Sequence, residues 1–114
     1  MQRGDIYWVL DVNGAGSEFR GNRPGIVVSN DIANKESPVV QMVLLTTRQH
    51  HSSLPVRVPV YSTGTLSLAC CEQICPVDKQ RIGTYIGRCS PLEMHEVDKA
   101  LMTSLGLQEV KHGR

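Results

Sequence analysis

The sequence predicts a mainly β domain with one carboxy-terminal helix, arranged as a small, strongly bent antiparallel barrel with the helix packed against it. Three observations predict this. Short apolar runs alternate with polar turns over most of the chain, and one late segment spaces its apolar residues every three or four positions. No repeat, low-complexity tract or linker divides the sequence. Its 114 residues suffice for one core and leave little room for a second, so residues 1–114 read as a single domain.

The strands follow in order. Ile6 to Leu10 is the first. Asp11 to Asn22, rich in Gly, Asn and Ser, reads as a long loop. Pro24 to Ser29 is the second strand, with proline at its first residue, where no ladder donor is required. "NDIANKES" is a polar turn, and Val39 to Leu45 is apolar enough for a central strand buried on both faces, ending in Thr46, Thr47 and Arg48. Val56 to Val60, with Arg57 and Pro59 alternating, is an edge strand. Leu66 to Ile74 is the next, and "RIGTYIG" from Arg81 is the last, interrupted by Gly83.

The helix has the strongest local signal. Ser90 at the N-cap, Pro91 at N1 and Glu93 at N3 form a capping box. Met94, Val97, Leu101 and Leu105 make a stripe that faces the sheet, and Gly106 supplies the C-cap.

Charge narrows the function classes. Twelve Lys and Arg against eleven Asp and Glu give +1, which lacks the basic excess of a protein that grips nucleic acid indiscriminately. Any nucleic-acid partner must be held by a local patch. No apolar run is long enough for a signal h-region or a membrane span, so a cytoplasmic location is expected. There the four cysteines, Cys70, Cys71, Cys75 and Cys89, stay thiols in or near the core.

The local patch is in "GSEFRGNRPGIVVSND". Arg20, Asn22 and Arg23 can donate to phosphate oxygens, and the guanidinium fork of Arg23 suits two oxygens at once. Gly14, Gly16 and Gly21 let the loop bend around a ligand. Arg23 is fixed by Pro24 at a strand boundary and Thr46 ends the central strand. If those strands are neighbours, a guanidinium and a hydroxyl converge. The bland reading is a surface ion pair of Arg23 with Asp5 or Glu18. A metal site built from Cys71, Cys75 and His50 or His51 is disfavoured by the CxxxC spacing without a second pair. A two-histidine nuclease is disfavoured too, because adjacent residues on extended backbone point to opposite sides.

"RGDIYWV", "GSE", "RGNRP", "VVSNDIANKESP", "LLTT" and "EQICPVDKQRI" occur in this order from Arg3 onward, and together they resemble the MazF/PemK toxins of bacterial toxin–antitoxin pairs. The resemblance implies an SH3-like small antiparallel barrel of the MazF/PemK/CcdB type. It also implies a homodimer that acts as an mRNA interferase: a sequence-specific endoribonuclease cutting single-stranded RNA through its 2′-hydroxyl, without a metal or other cofactor. A MazE-like cognate antitoxin with a disordered acidic tail would cover the RNA groove. Arg23 falls on the family's catalytic arginine and Thr46 on its catalytic threonine. Gly16, Ser17, Glu18, Phe19, Arg20, Asn22, Thr47, Arg48, Glu72 and Gln73 fall on the RNA-binding surface.

The sequence also departs from the family. In the PemK branch a mechanistic arginine stands two residues before the carboxylate of the "DQ" motif, and that position is Cys70 here. The carboxylate aligns with Glu72, the branch's loop histidine with Ser17, and a common arginine after the motif with Cys75. Phe19 is either a base-stacking residue or loop packing. The acceptor of the 2′-hydroxyl proton is not fixed by the sequence. Two rivals keep the fold without the chemistry: a toxin that binds a protein target such as DNA gyrase, and a degenerate toxin that only binds antitoxin.

Overall fold

A computed structural model describes residues 1–12, 21–49 and 53–107. Along the chain it runs β1 (Asp5–Val12), β2 (Gly21–Val27), α1 (Asp31–Glu36), β3 (Val39–Thr46), β4 (Arg57–Val60), β5 (Ser67–Asp78), a 3-10 turn (Lys79–Arg81), β6 (Ile82–Arg88) and α2 (Pro91–Leu105). The strands form one antiparallel sheet in the order β4-β5-β3-β2-β1-β6. The predicted central strand is central, and the Val56 to Val60 segment is indeed an edge.

Alternation along the strands builds a core on each face of the sheet. Ile6, Ile26, Val43, Leu45, Ala69 and Cys71 face α2 and pack with Val97, Ala100 and Leu101. Val9, Val27, Met42, Leu44, Cys70 and Val77 form the second cluster on the opposite face. A Cβ at Gly25 would come within 3.1 Å of both Met42 and Val9 side chains, so glycine lets β1, β2 and β3 close at that point.

Helix α2 follows its sequence signals. Ser90 Oγ accepts from Glu93 N, Glu93 returns the bond to Ser90 N, and Gly106 adopts φ 68° to cap the end. Glu93 also accepts from Tyr61 N at 2.6 Å and from Ser62 Oγ, tying the helix start to the β4–β5 turn. The predicted stripe is shorter than expected. Val97 and Leu101 are buried, but Leu105 is 58% exposed where the helix runs past the sheet.

Other elements are also corrected. "NDIANKES" is a six-residue helix, not a turn, because Asn30 caps it through Ala33 N and the buried Asn34 bonds back to Ser29. Strands β1 and β2 run into the segment predicted as loop, taking in Asp11, Val12, Gly21 and Asn22. Pro24 is therefore inside β2 rather than at its start, at a point where β2 pairs with β1 alone, since the β2–β3 register begins at Gly25. Strand β5 continues four residues beyond Ile74, past Pro76, by pairing with Val39 to Met42. In β3, Gln41 is exposed, so that strand is not buried throughout.

Candidate active site

The β2–β3 register sets Gly25 opposite Leu44 and Ile26 opposite Val43. The pairing stops there: Arg23 and Thr46 lie two residues beyond Gly25 and Leu44, with Arg23 opposite Val9 on β1 and Thr46 opposite Leu68 on β5. By strand alternation both belong to the face of the second cluster.

Arg23 is half-buried, opposite Val9 on β1, and its Nε is buried with no hydrogen-bond partner among the described residues. Native proteins rarely leave such a donor unmade, because the desolvation cost is not recovered. Asp5 does not pair with it: that carboxylate bonds Arg88 Nη1 at 2.8 Å and Gln2 N at 2.8 Å. Glu18, the other expected ion-pair partner, lies outside the described residues. Thr46 is 5% exposed, and its Oγ1 accepts from Arg48 N at 3.1 Å. A hydroxyl that accepts there keeps its own hydrogen to donate elsewhere.

The remaining predicted residues divide between hairpin, strand end and a bend in β5. Asn22 Oδ1 accepts from Asp11 N at 3.2 Å, where Asp11 takes a positive φ of 53°. Arg81 donates to Leu10 O at 3.0 Å and to Asp11 O, so the base of this hairpin is braced. Thr47 and Arg48 are exposed just beyond β3. Gln73 Oε1 is buried and unpartnered among the described residues. Gly14, Gly16, Ser17, Glu18, Phe19, Arg20, His50 and His51 lie outside the described residues.

Glu72 has a partner the sequence reading missed. Arg57 Nε donates to Glu72 Oε2 at 2.7 Å, with the Arg57 side chain 2% exposed and that of Glu72 30% exposed. The signal was present in "VRVPV": Val56, Val58 and Val60 share one face, which leaves Arg57 on the other, beside Cys70.

The thiols are structural in character. Burial pushes Cys71 and Cys89 up to about 12, which makes them poor nucleophiles, and it also raises Cys75 against the opposing charge of Arg81. Cys71 and Cys75 belong to clusters on opposite faces. Among the described residues no three His, Cys, Asp or Glu side chains gather in a metal-binding group. The groove of 530 Å³ between β4 and α2 includes neither Arg23 nor Thr46 in its lining.

Arg23 near the start of β2 and Thr46 at the end of β3 thus place a guanidinium and a hydroxyl on neighbouring strands. A solved mycobacterial structure, "Endoribonuclease in complex with its cognate antitoxin", is 28% identical, covers 96% of this chain and 99% of its own, and superposes with a TM-score of 0.77. A second mycobacterial endoribonuclease is 26% identical over 96% of this chain and 95% of its own, with a TM-score of 0.79. MazF from Deinococcus radiodurans, 22% identical over 94% of this chain and 97% of its own, shares the fold with a TM-score of 0.80. Residues 2–105 match the family described as PemK-like, MazF-like toxin of type II toxin–antitoxin systems, and the chain belongs to that family.

Proposed function

We propose that the protein is a sequence-specific endoribonuclease toxin that cuts single-stranded mRNA without a metal ion. The observation that carries this reading is the buried Nε of Arg23, without a partner among the described residues, on the same sheet face as a Thr46 hydroxyl that accepts from Arg48 N and keeps its own hydrogen to donate. RNA brings its own nucleophile. The 2′-oxygen attacks the adjacent phosphorus, the bond from phosphorus to the 5′-oxygen breaks, and the products are a 2′,3′-cyclic phosphate and a 5′-hydroxyl. The proton lost from the 2′-hydroxyl is balanced by one gained at the leaving 5′-oxygen. Arg23 neutralises charge developing on the phosphorane, and Thr46 donates to a non-bridging oxygen. Arginine stays protonated at ordinary pH, so its role is electrostatic and not proton transfer.

The mycobacterial structure solved with its cognate antitoxin supports a similar partner for this chain. A disordered acidic tail with apolar anchors suits the same cationic face and would compete with RNA for it. The active form is a homodimer acting in the cytoplasm. No helix among the described residues is long and apolar enough to cross a membrane.

The test is incubation with mixed single-stranded RNA in EDTA, followed by mapping of the cut ends. Cyclic phosphate and 5′-hydroxyl termini are expected. A strict magnesium requirement, or 5′-phosphate ends, overturns the scheme.

A further inference from the structure

Arg57 is a buried charge whose burial stability alone does not explain. It lies in edge strand β4 opposite Cys70, between valines, with 2% of its side chain exposed. Taking an ion pair out of water costs about as much as its attraction returns, so an apolar side chain would serve an edge strand at least as well. What the pair accomplishes is geometric. The bond from Arg57 Nε holds Glu72 by Oε2 at 2.7 Å, and the carboxylate, 30% exposed, stays open on its other side.

The position of that carboxylate suggests its use. Strand β5 bulges between Ala69, opposite Leu45, and Ile74, opposite Val43, so Glu72 and Gln73 lie beside Leu44, two residues along β3 from Thr46. Thr46 pairs with Leu68, four residues before Glu72, so the carboxylate is offset along the sheet from Thr46. A carboxylate repels phosphate, so it does not serve the scissile phosphate itself. The offset suits the base of a neighbouring nucleotide. A carboxylate only accepts hydrogen bonds. It accepts readily from an exocyclic amino group, as adenine, cytosine and guanine present, whereas the one ring donor of uracil, N3–H, is flanked by the O2 and O4 acceptors that a carboxylate repels.

We propose that Arg57 is a positioning residue that fixes Glu72 as the reader of an amino-bearing base beside the scissile phosphate, and so sets specificity against uracil there. This rests on the endoribonuclease reading above. The experiment is sequencing of cut ends from a randomised single-stranded RNA pool, with wild type, Glu72→Gln, Arg57→Lys and the double variant compared, alongside thermal melts. Wild type is expected to disfavour uracil about 10-fold at one position flanking the cut. Glu72→Gln, whose amide can also donate, should reduce that to about 2-fold, and Arg57→Lys should act at the same position. The double variant should lose no more than Glu72→Gln alone. Since a buried lysine can prevent folding, Arg57→Met is a second variant that suits the surrounding valines and leaves Glu72 unheld. A uniform fall in rate on all sequences, with discrimination intact, would overturn the proposal and leave Arg57 a structural residue. Wild-type cutting without any bias at flanking positions would overturn it as well. No cutting by wild type at all would instead sink the endoribonuclease reading, and this proposal with it.

Discussion

Around the start of α2 and the end of β6 polar groups are partnered, whereas Arg23 Nε in β2 and Gln73 Oε1 in the β5 bulge are buried without a partner among the described residues. Glu93 alone accepts from Ser90 N, Tyr61 N and Ser62 Oγ, and Arg88 bonds Asp5. Asp98 Oδ1 has no well-formed hydrogen bond but sits 2.7 Å from Arg3 Nη2, so its charge is compensated. Both faces of the sheet bury comparable aliphatic residues, so apolar content does not distinguish them. The difference lies in what each region leaves unsatisfied. Under the function proposed above, the unmet donor of Arg23 is the one kept for a ligand.

That contrast breaks most sharply at Arg23. Arg23→Ala should lower RNA cleavage by ~100-fold or more, the scale of losing one transition-state donor, while leaving thermal stability unchanged or slightly higher because an unmet donor is removed. Arg23→Lys, which keeps charge but loses the fork, should cost at least ~10-fold. Single-turnover cleavage and thermal melts on the same preparations check both. A large stability loss on Arg23→Ala would give that residue a structural role instead.

The converse substitution is Leu101→Ala under the helix. It should cost about 2–4 kcal/mol in denaturant unfolding through lost burial and a cavity, with cleavage per folded molecule retained. Cleavage falling in proportion to the Arg23 variants would show that the two faces are not separable.

How far this division was legible in the sequence follows from the range of the forces involved. The Ser90, Pro91 and Glu93 box is local, so three residues announced α2, and the run from Val39 marked the central strand without its partners. Six-residue α1 is too short to show a helical period, and its stability comes from Asn30 and Asn34 side chains rather than an apolar stripe. Pro24 looked like a strand start and the next-to-last strand like one ending at Ile74, and only pairing with β1 and β3 shows that the strands extend past these points. Arg23 and Thr46 stood out from their strand-boundary positions and then from motif resemblance, while which strands are neighbours was set by pairings distant in sequence. Arg57 was missed because its partner is fifteen residues away on the next strand, a distance no local pattern spans.

A smaller effect is expected at Glu93. Desolvation raises its carboxyl, but the hydrogen bonds from Ser62, Ser90 and Tyr61 outweigh it and hold the folded-state value below the ordinary one. The sign follows: stability from these bonds is present above the unfolded carboxylate value and is lost as pH falls through the lowered one. Glu93→Ala should cost on the order of 1 kcal/mol at neutral pH. The gap between variant and wild type should close as acid protonates the wild-type carboxylate. Melts from pH 7 down to about 3 check it, and a gap that widens in acid would contradict it.

The smallest effect is chemical. At pH 8 a thiol reagent should label Cys75 slowly and Cys71 and Cys89 only after unfolding, as mass spectrometry of labelled peptides would show. Rapid labelling of Cys89 in the folded protein would mean that the helix side opens more readily than its packing implies.

The most direct test is a double-mutant cycle on Arg23 and Thr46, read as single-turnover cleavage of one RNA in EDTA. If both groups act on one phosphate, Arg23→Ala with Thr46→Val should be about as slow as the slower single variant, because residues working as a unit are strongly non-additive. If the two losses multiply in full, the residues act independently and the shared site on this sheet face is wrong.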